Sequence, residues 1–270
     1  MSQKIKNPIG VFDSGIGGLT VYRALRAQMP HESFIYLGDT ARLPYGTKSK
    51  ETVCRYAERV ARKLFEEEIK LLVVACNTAS AAALPYLREL WPDMPILGVV
   101  KPGVQAAVEA SKTGRVVVFA TEGTIRSGAY QREIQKRALD MQVQGIACNL
   151  LVSLVEEGWG EGAEVDGILK RYLKRITLDN YDVLALGCTH FPVLIPALRS
   201  LLPPEVALID SAETTALAAK RYLQENKLEN GSSVAGSNRF LVTDCPERFS
   251  SLAHLFLGGK GVDNVELIAL

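Results

Sequence analysis

The chain has 270 residues, of which 47% are hydrophobic and 23% are charged. This length and an ordinary soluble composition are enough to bury one large core or two modest ones. Thirty-one lysines and arginines stand against 30 aspartates and glutamates, which leaves a formal charge of +1. The sequence has no basic block of the kind that predicts a nucleic-acid interface, so we expect no nucleic-acid partner.

The amino-terminal sequence MSQKIKNPIGVF passes from a short polar segment directly into a strand-like run, without the apolar stretch of a signal peptide. No apolar window of about 18 residues occurs, so we expect a cytoplasmic protein with no membrane partner. The five cysteines are an odd number and lie far apart. They fit neither a disulfide framework nor the paired spacing of a zinc site, so we expect reduced thiols and no metal.

Short apolar runs alternate with segments of helical periodicity along the chain. One helix is predicted over residues 50–68, with Val53, Val60 and Leu64 on its apolar face and Ser49 as its cap. Runs that are apolar throughout are typical of strands covered by helices on both sheet faces, so we predict an α/β fold with doubly wound, mostly parallel sheets. The runs are IGVF (9–12), SFIYLG (33–38), LLVVAC (71–76), PILGVV (95–100), RVVVFA (115–120), VLALGC (183–188) and VALID (206–210).

A weak internal repeat runs through the chain. VFDSGIGGL follows the first run and VFATEGTI continues the fifth, with Phe12 and Phe119 107 positions apart. Cys76 and Cys188 are 112 positions apart, which is nearly the same offset. We therefore predict two similar halves that face each other through the carboxyl ends of their strands, which would bring both cysteines into one crevice. The segment GVVKPG (98–103) is the predicted crossing between the halves.

The glycine-rich segment DSGIGGL (13–19) allows two interpretations. Its glycines free backbone N–H groups as in a phosphate loop, but it lacks the Lys-Ser/Thr of a Walker loop and the spacing of a dinucleotide fingerprint. The alternative is a tight strand-to-helix turn capped by Ser14. The same chemistry also suits a small carboxylate, because hydroxyl and amide side chains directly follow the apolar runs. These side chains belong to Ser14, Asn77, Thr78, Thr121 and Thr189.

The five cysteines divide into two groups. Cys54, Cys148 and Cys245 are interpreted as small apolar fillers, because free cysteine is usually buried. Cys76 and Cys188 end predicted strands, where open α/β sheets build their sites, and a helix start directly after a thiol favours its thiolate. Two cysteines at matching positions indicate a symmetrical reaction.

Inversion of a stereocentre next to a carboxylate is such a reaction, because one base removes the α-proton and an acid on the other face returns one. Asp13 and His190 are the titratable residues best placed to shift the pKa values of the two thiols. Two alternatives remain open. A cysteine hydrolase or thiol transferase would use only Cys188 and His190, with Cys76 merely packed. A carboxylate- or amino-acid-binding protein would bind without turnover.

Five motifs occur in one order between about residues 9 and 215. They are FDSGIGGLTV (12–21), GDTARLPYG (38–46), ACNTAS (75–80), GVVKPG (98–103) and LGCTHFP (186–192). Together they resemble the glutamate racemase family, cofactor-independent enzymes that supply D-glutamate for peptidoglycan. Related aspartate racemases are similar around the two cysteines but usually open on a Gly-Met-Gly turn, where this chain has Asp-Ser-Gly-Ile-Gly-Gly.

The resemblance implies that Cys76 and Cys188 are the two catalytic bases, with Asp13 supporting the first and His190 the second. It also matches Glu156 to a family glutamate linked to proton handling near the second cysteine. The implied substrate contacts are Asp13, Ser14, Tyr45, Gly46, Asn77, Thr78, Thr121, Thr124, Thr189 and His190. The segment PYGTKS (44–49) is where we place the side-chain carboxylate of the substrate, because its turn frees the Gly46 N–H.

The segment around Glu156 departs from the family pattern. The chain has Cys148-Asn149 and Ser153 where the family commonly has Cys-Pro and a second proline. The alternative for Glu156 is therefore a solvated carboxylate at a helix end.

The resemblance also implies two α/β domains with the substrate buried between them. We place the first domain over residues 1–98 plus 209–270 and the second over residues 99–208. No cofactor and no metal are implied, and the partner is the small-molecule substrate glutamate. Many members of the family dimerise, so a homodimer is a further expectation, as is a role in cell wall biogenesis and cell shape.

Overall fold

Parallel strands and helices alternate through residues 2–270, which are the residues that this computed structural model describes. The strands are β1 (Ile9–Asp13), β2 (Phe34–Gly38), β3 (Leu71–Val74), β4 (Ile96–Gly98), β5 (Arg115–Ala120), β6 (Gln142–Ala147), β7 (Val183–Gly187), β8 (Ala207–Asp210), β9 (Asn238–Val242) and β10 (Val265–Leu267). The helices are α1 (Ser2–Lys6), α2 (Leu19–Gln28), α3 (Lys50–Glu66), α4 (Asn77–Leu90), α5 (Val100–Ala110), α6 (Glu122–Ser127), α7 (Ala129–Gln135), α8 (Asn149–Glu156), α9 (Ala163–Leu173), α10 (Ile195–Leu201), α11 (Ala212–Glu225) and α12 (Pro246–Phe256). Short 3-10 turns occur at Thr40–Arg42, Tyr45–Thr47 and Phe191–Leu194.

The strands form two sheets in which the neighbouring strands are parallel. The first has the order β10-β9-β2-β1-β3-β4 and the second the order β6-β5-β7-β8. The pairs β1–β2, β1–β3, β5–β6 and β5–β7 all run parallel. Helices follow the strands on both faces, so the predicted doubly wound α/β fold is confirmed.

Each of the seven apolar runs contains a strand, whereas β6, β9 and β10 were not predicted. Strand β6, with the sequence QVQGIA, alternates glutamine with apolar residues and lies at a sheet edge, so most of its residues are only half-buried. Strand β10 has only three residues. Edge and short strands lack the continuous apolar run that marks a strand buried on both faces.

Helix α3 forms as its pattern predicts. Val53, Val60 and Leu64 are buried, and the Thr52 N–H donates to Ser49 Oγ at 3.3 Å, so Ser49 is the cap. The helix ends at Glu66, two residues before the predicted end.

The second sheet repeats the topology of four strands of the first. Strand β5 lies between β6 and β7 as β1 lies between β2 and β3, and β8 and β4 take the equivalent outer places. The predicted repeat is therefore confirmed at the level of topology. Cys76 follows β3 and Cys188 follows β7, so both lie at the carboxyl ends of equivalent strands. One buried apolar cluster joins the halves, with Val11 and Val73 from the first sheet and Phe119 and Leu186 from the second.

The first sheet takes its strands from residues 9–98 and 238–267, and the second from residues 115–210. The predicted division near residue 98 falls at the end of β4, whereas the one near residue 208 falls inside β8. The division into domains stays a prediction. In the described part of the chain, no helix combines the length and apolar character that crossing a membrane requires.

A buried ion pair ties the amino-terminal side of the first sheet together. Lys70, just before β3, is fully buried, and its Nζ lies 2.5 Å from Glu32 Oε2. The same ammonium donates to the carbonyl oxygens of Ile5 at 2.7 Å and Leu228 at 2.8 Å. Glu32 in turn accepts from the Asn230 N–H at 2.8 Å.

We predict that Lys70→Met lowers the free energy of unfolding by about 3–5 kcal/mol, because it leaves the Glu32 carboxylate buried without its cation. Urea unfolding followed by circular dichroism measures this change. The control is Lys63→Met, which removes an exposed ion pair with Glu66 and should change stability little. Equal effects of the two substitutions would contradict a stabilising role specific to the buried pair.

Candidate active site

A small cavity of about 30 Å³ lies between the carboxyl ends of the two sheets. Cys76 and Cys188 both line it, and they are only 5% and 7% exposed. A larger cleft of about 560 Å³ occurs between α2 and residues 257–263, but neither cysteine lines it. Other predicted site residues that line the small cavity are Ser14, Tyr45, Gly46, Asn77, Thr78, Thr121, Glu156, Thr189 and His190.

Cys76 is the N-cap residue of α4, and its Sγ accepts the Ala79 N–H at 3.4 Å. Burial, together with the smaller effect of the negative charge of Asp13, raises the pKa of the Cys76 thiol to about 12. Hydrogen bonds from Ser14 and the Ala79 N–H lower this pKa, as expected at a helix start. Their effect is smaller than that of burial and the Asp13 charge. These surroundings favour the protonated thiol of Cys76 at neutral pH.

Asp13, the last residue of β1, is fully buried and, unlike the adjacent Ser14, is not among the residues that line the cavity. Its Oδ2 accepts the Gly15 N–H at 2.9 Å, whereas its Oδ1 has no hydrogen-bond partner among the described residues. Burial raises the pKa of this carboxyl, although the positive charge of His190 and backbone N–H groups act in the other direction. A buried acceptor without a partner suits a bound donor such as an ammonium group.

Cys188, His190 and Glu156 form a chain of polar contacts. His190 Nδ1 lies 3.8 Å from Cys188 Sγ, and its Nε2 lies 3.1 Å from Glu156 Oε1. Burial lowers the pKa of His190, but the hydrogen bonds to Cys188 and Glu156 raise it more, to about 10. Glu156 ends α8, and its side chain is 18% exposed and contacts His190, so the structure favours the role near the second cysteine over a fully solvated carboxylate. A protonated His190 stabilises a thiolate on Cys188.

Three threonine hydroxyls form one wall of the site, in which Thr78 and Thr121 line the cavity and the buried Thr124 lies behind them. Thr78 Oγ1 lies 2.9 Å from Thr121 Oγ1 and 3.3 Å from Thr124 Oγ1, and the Thr121 and Thr124 oxygens are 3.1 Å apart. Thr78 follows β3 of the first sheet, whereas Thr121 and Thr124 follow β5 of the second. Gly46 packs directly on Thr121, where a Cβ would lie 2.6 Å from the Thr121 Cβ. The hydroxyl wall therefore forms only where the two halves meet.

The glycine-rich segment DSGIGGL is a turn from β1 into α2, which begins at Leu19 with Gly18 as its N-cap residue. The prediction that Ser14 caps this helix is wrong. Ser14 instead lines the cavity next to Cys76. A Cβ at Gly17 would overlap the side chains of Thr189 and His190, so this turn packs closely against the second half.

The remaining cysteines fit the filler interpretation unequally. Cys148 is buried and Cys54 is half-buried, but Cys245 is exposed at the start of α12, so that prediction is wrong for Cys245. All five cysteines are free. Among the described residues, no group of three or more His, Cys, Asp or Glu side chains is arranged to hold a metal ion.

Two polar residues at the site were missed by sequence reasoning. Asp39 is fully buried and accepts hydrogen bonds from the Tyr45 hydroxyl at 2.6 Å and from Thr243 Oγ1 at 2.9 Å. Its position six residues before Tyr45, within GDTARLPYG, is a signal that could have indicated it. Tyr130 donates to Asn77 Oδ1 at 2.8 Å, and nothing in the local sequence indicates this contact.

The sequence and the fold are both similar to those of known racemases. Residues 9–219 match the model of the Asp/Glu/Hydantoin racemase family. A glutamate racemase from Geobacter metallireducens is 44% identical, and the match covers 93% of each chain. The crystal structure of glutamate racemase from Francisella tularensis in complex with D-glutamate superposes with a TM-score of 0.92 at 38% identity, over 98% of each chain. A glutamate racemase isoform from Bacillus anthracis gives a TM-score of 0.93 at 36% identity, also over 98% of each chain. The chain belongs to the Asp/Glu/Hydantoin racemase family and is an amino-acid racemase.

Proposed function

We propose that this chain is a glutamate racemase that interconverts L- and D-glutamate with two thiols and no cofactor. The observation that carries the proposal is that Cys76 and Cys188, from equivalent positions in the two halves, line one buried cavity. Two bases on opposite sides of a substrate are what inversion at Cα requires. The relatives named above, one of which binds D-glutamate in its crystal structure, support glutamate as the substrate.

In the proposed reaction, the thiolate of one cysteine takes the α-proton, so that a C–H bond breaks and an S–H bond forms. The thiol of the other cysteine then gives its proton to the opposite face of the carbanion and becomes the thiolate. The product has the inverted configuration, and the two sulfurs have exchanged their protonation states. No electrons are gained or lost, so the step needs no oxidant or reductant.

The two cysteines have different electrostatic surroundings. Burial and the Asp13 charge keep Cys76 as the thiol, whereas protonated His190 lies next to Cys188. We infer that Cys76 carries its proton in the free enzyme and that His190 is the positively charged group beside the second sulfur.

The polar groups around the cavity suit the two ends of glutamate. Asp13 Oδ1, without a partner among the described residues, can accept from the α-ammonium group. Asn77 and Thr189 can donate to one carboxylate, and Gly46 with the threonine wall to the other. A cavity that excludes water makes each of these hydrogen bonds stronger than it would be in solution.

The wider role follows the family resemblance. We propose that the D-glutamate supplies peptidoglycan synthesis in the cytoplasm, in support of cell wall biogenesis and cell shape. We also propose that residues 1–98 plus 209–270 and residues 99–208 are separate domains and that the chain forms a homodimer.

The first prediction tests the two-thiol reaction. Proton NMR of L-glutamate in D2O with the purified chain should show loss of the α-proton signal. The circular dichroism signal of L-glutamate should decay towards zero as the two enantiomers become equal in amount. Cys76→Ala and Cys188→Ala should each abolish racemisation, because each removes the group that serves one face of Cα.

Cys245→Ala is the matched control, because that exposed cysteine does not line the cavity and its loss should leave the rate unchanged. Melting temperatures of all three variants establish that they fold. Near-full turnover by either Cys76→Ala or Cys188→Ala would overturn the two-thiol mechanism.

The second prediction concerns the contact between Glu156 and His190. A carboxylate next to an imidazolium favours the protonated ring, so Glu156→Gln should lower the pKa of His190 from about 10. Because the charged ring stabilises the Cys188 thiolate, the alkaline limb of the kcat/KM profile should move to lower pH by about one unit.

The control for this substitution is Glu157→Gln, at a neighbouring exposed carboxylate that pairs with Arg248 instead. Its pH profile should match that of the wild type. An unchanged alkaline limb in Glu156→Gln would show that Glu156 does not set the protonation of His190.

The third prediction separates glutamate from aspartate. Both share the α-carboxylate and the α-ammonium, so discrimination falls on the side-chain carboxylate, which is one methylene further out in glutamate. A shorter substrate leaves Gly46 and the threonine wall without an acceptor in a buried site. We expect kcat/KM for L-glutamate to exceed that for L-aspartate by at least about a hundredfold. Circular dichroism of both substrates under identical conditions measures the ratio, and comparable values would contradict both the wall assignment and the glutamate proposal.

A further inference from the structure

We infer that Tyr130 is a positioning residue that holds the Asn77 amide in one orientation, so that Asn77 Nδ2 donates to a carboxylate of the substrate. This inference rests on the proposed function for the identity of the substrate. It assigns a role to a residue of the second half that does not itself line the cavity.

The two side chains meet across the boundary between the halves. Asn77 is the first residue of α4, next to Cys76, and Tyr130 lies on α7. The Tyr130 hydroxyl donates to Asn77 Oδ1 at 2.8 Å, and the two residues are 2% and 3% exposed. Asn77 Nδ2 is buried without a hydrogen-bond partner among the described residues, although Asn77 lines the cavity.

An amide side chain can turn by about 180° and exchange its oxygen and nitrogen. With Oδ1 towards the cavity, it would repel a bound carboxylate, which has only acceptor atoms at neutral pH. With Nδ2 towards the cavity, it donates to that carboxylate. The orientation that binds is therefore the one in which Oδ1 accepts from Tyr130.

Tyr130 is suited to enforce this orientation because its surroundings favour the protonated hydroxyl and its ring is buried. Burial raises the pKa of this hydroxyl, and the charges of Cys188 and Asp210 raise it further. The ring lies against Gly187, where a Cβ would be 3.1 Å from Tyr130 Cε2. Because Gly187 directly precedes Cys188, the Tyr130 ring contacts the backbone next to the second cysteine as well as orienting Asn77.

The test is Tyr130→Phe, which removes the hydroxyl and keeps the ring. Without that donor, the Asn77 amide is free to turn. In the molecules in which Oδ1 then faces the cavity, the hydrogen bond from Asn77 Nδ2 to the substrate carboxylate is lost. We expect KM to rise about tenfold or more for both L- and D-glutamate. The kcat value should change by less than about threefold, because the contact serves binding in both ground and transition states.

A double-mutant cycle with Asn77→Ala separates positioning from general packing. If Tyr130 acts through Asn77, then Tyr130→Phe should have almost no further effect on KM in the Asn77→Ala background. If Tyr130→Phe raised KM by the same factor in the Asn77→Ala background as in the wild type, the inference would be overturned. The matched control is Tyr22→Phe, at a buried ring that packs on Phe34 and Phe240, and its KM should equal that of the wild type.

A measurement on the wild-type chain keeps the inference testable even if Tyr130→Phe folds poorly. The side-chain NH2 resonances of Asn77, assigned by their absence in Asn77→Ser, should shift when D-glutamate saturates the protein. Unmoved resonances in saturated protein would overturn the inference. Absence of racemisation by the wild type would instead refute the proposed function, and the resonances would still report whether Asn77 binds a carboxylate.

Discussion

The close contact between the carboxyl ends of two parallel sheets is the constraint on which the site depends. Gly17 of the first half packs against Thr189 and His190 of the second, and Gly46 packs against Thr121. A Cβ at either glycine would push the halves apart. Glycine is therefore required at these positions because of close approach, although positive-φ freedom is its more usual role. Without this approach, the two thiols would belong to two separate crevices.

The contact also gives two chemically similar thiols different environments. The first half supplies a buried carboxylate near Cys76, and the second supplies an imidazole near Cys188. The topological repeat makes the positions equivalent, whereas the neighbouring side chains make them unequal. A two-base reaction needs one proton donor and one acceptor at any moment, and unlike neighbours provide such a pair without a cofactor.

Much of the site could be predicted from sequence because apolar runs mark buried strands, and strand ends in parallel sheets share one edge. Cys76, Cys188 and the hydroxyl residues after the runs were located in this way, and they line one cavity. The contact of Tyr130 with Asn77 joins residues 53 positions apart, and periodicity says nothing about such a pair. Glu156 illustrates a different limit, because α8 forms without the prolines of the family pattern and still brings the carboxylate within 3.1 Å of His190.

The threonine wall explains how a dicarboxylate could be bound in a cavity that no lysine or arginine side chain of the described residues lines. The hydroxyls of Thr78, Thr121 and Thr124 hydrogen-bond to one another, so these buried polar atoms have partners within the protein. A hydroxyl can rotate to donate to a carboxylate, whereas a buried lysine or arginine would need a permanent counter-ion. A fixed cation would also favour one protonation state of the nearby thiols throughout the cycle. In the proposed reaction, neutral donors would bind the substrate and leave the protonation of the two cysteines to Asp13 and His190.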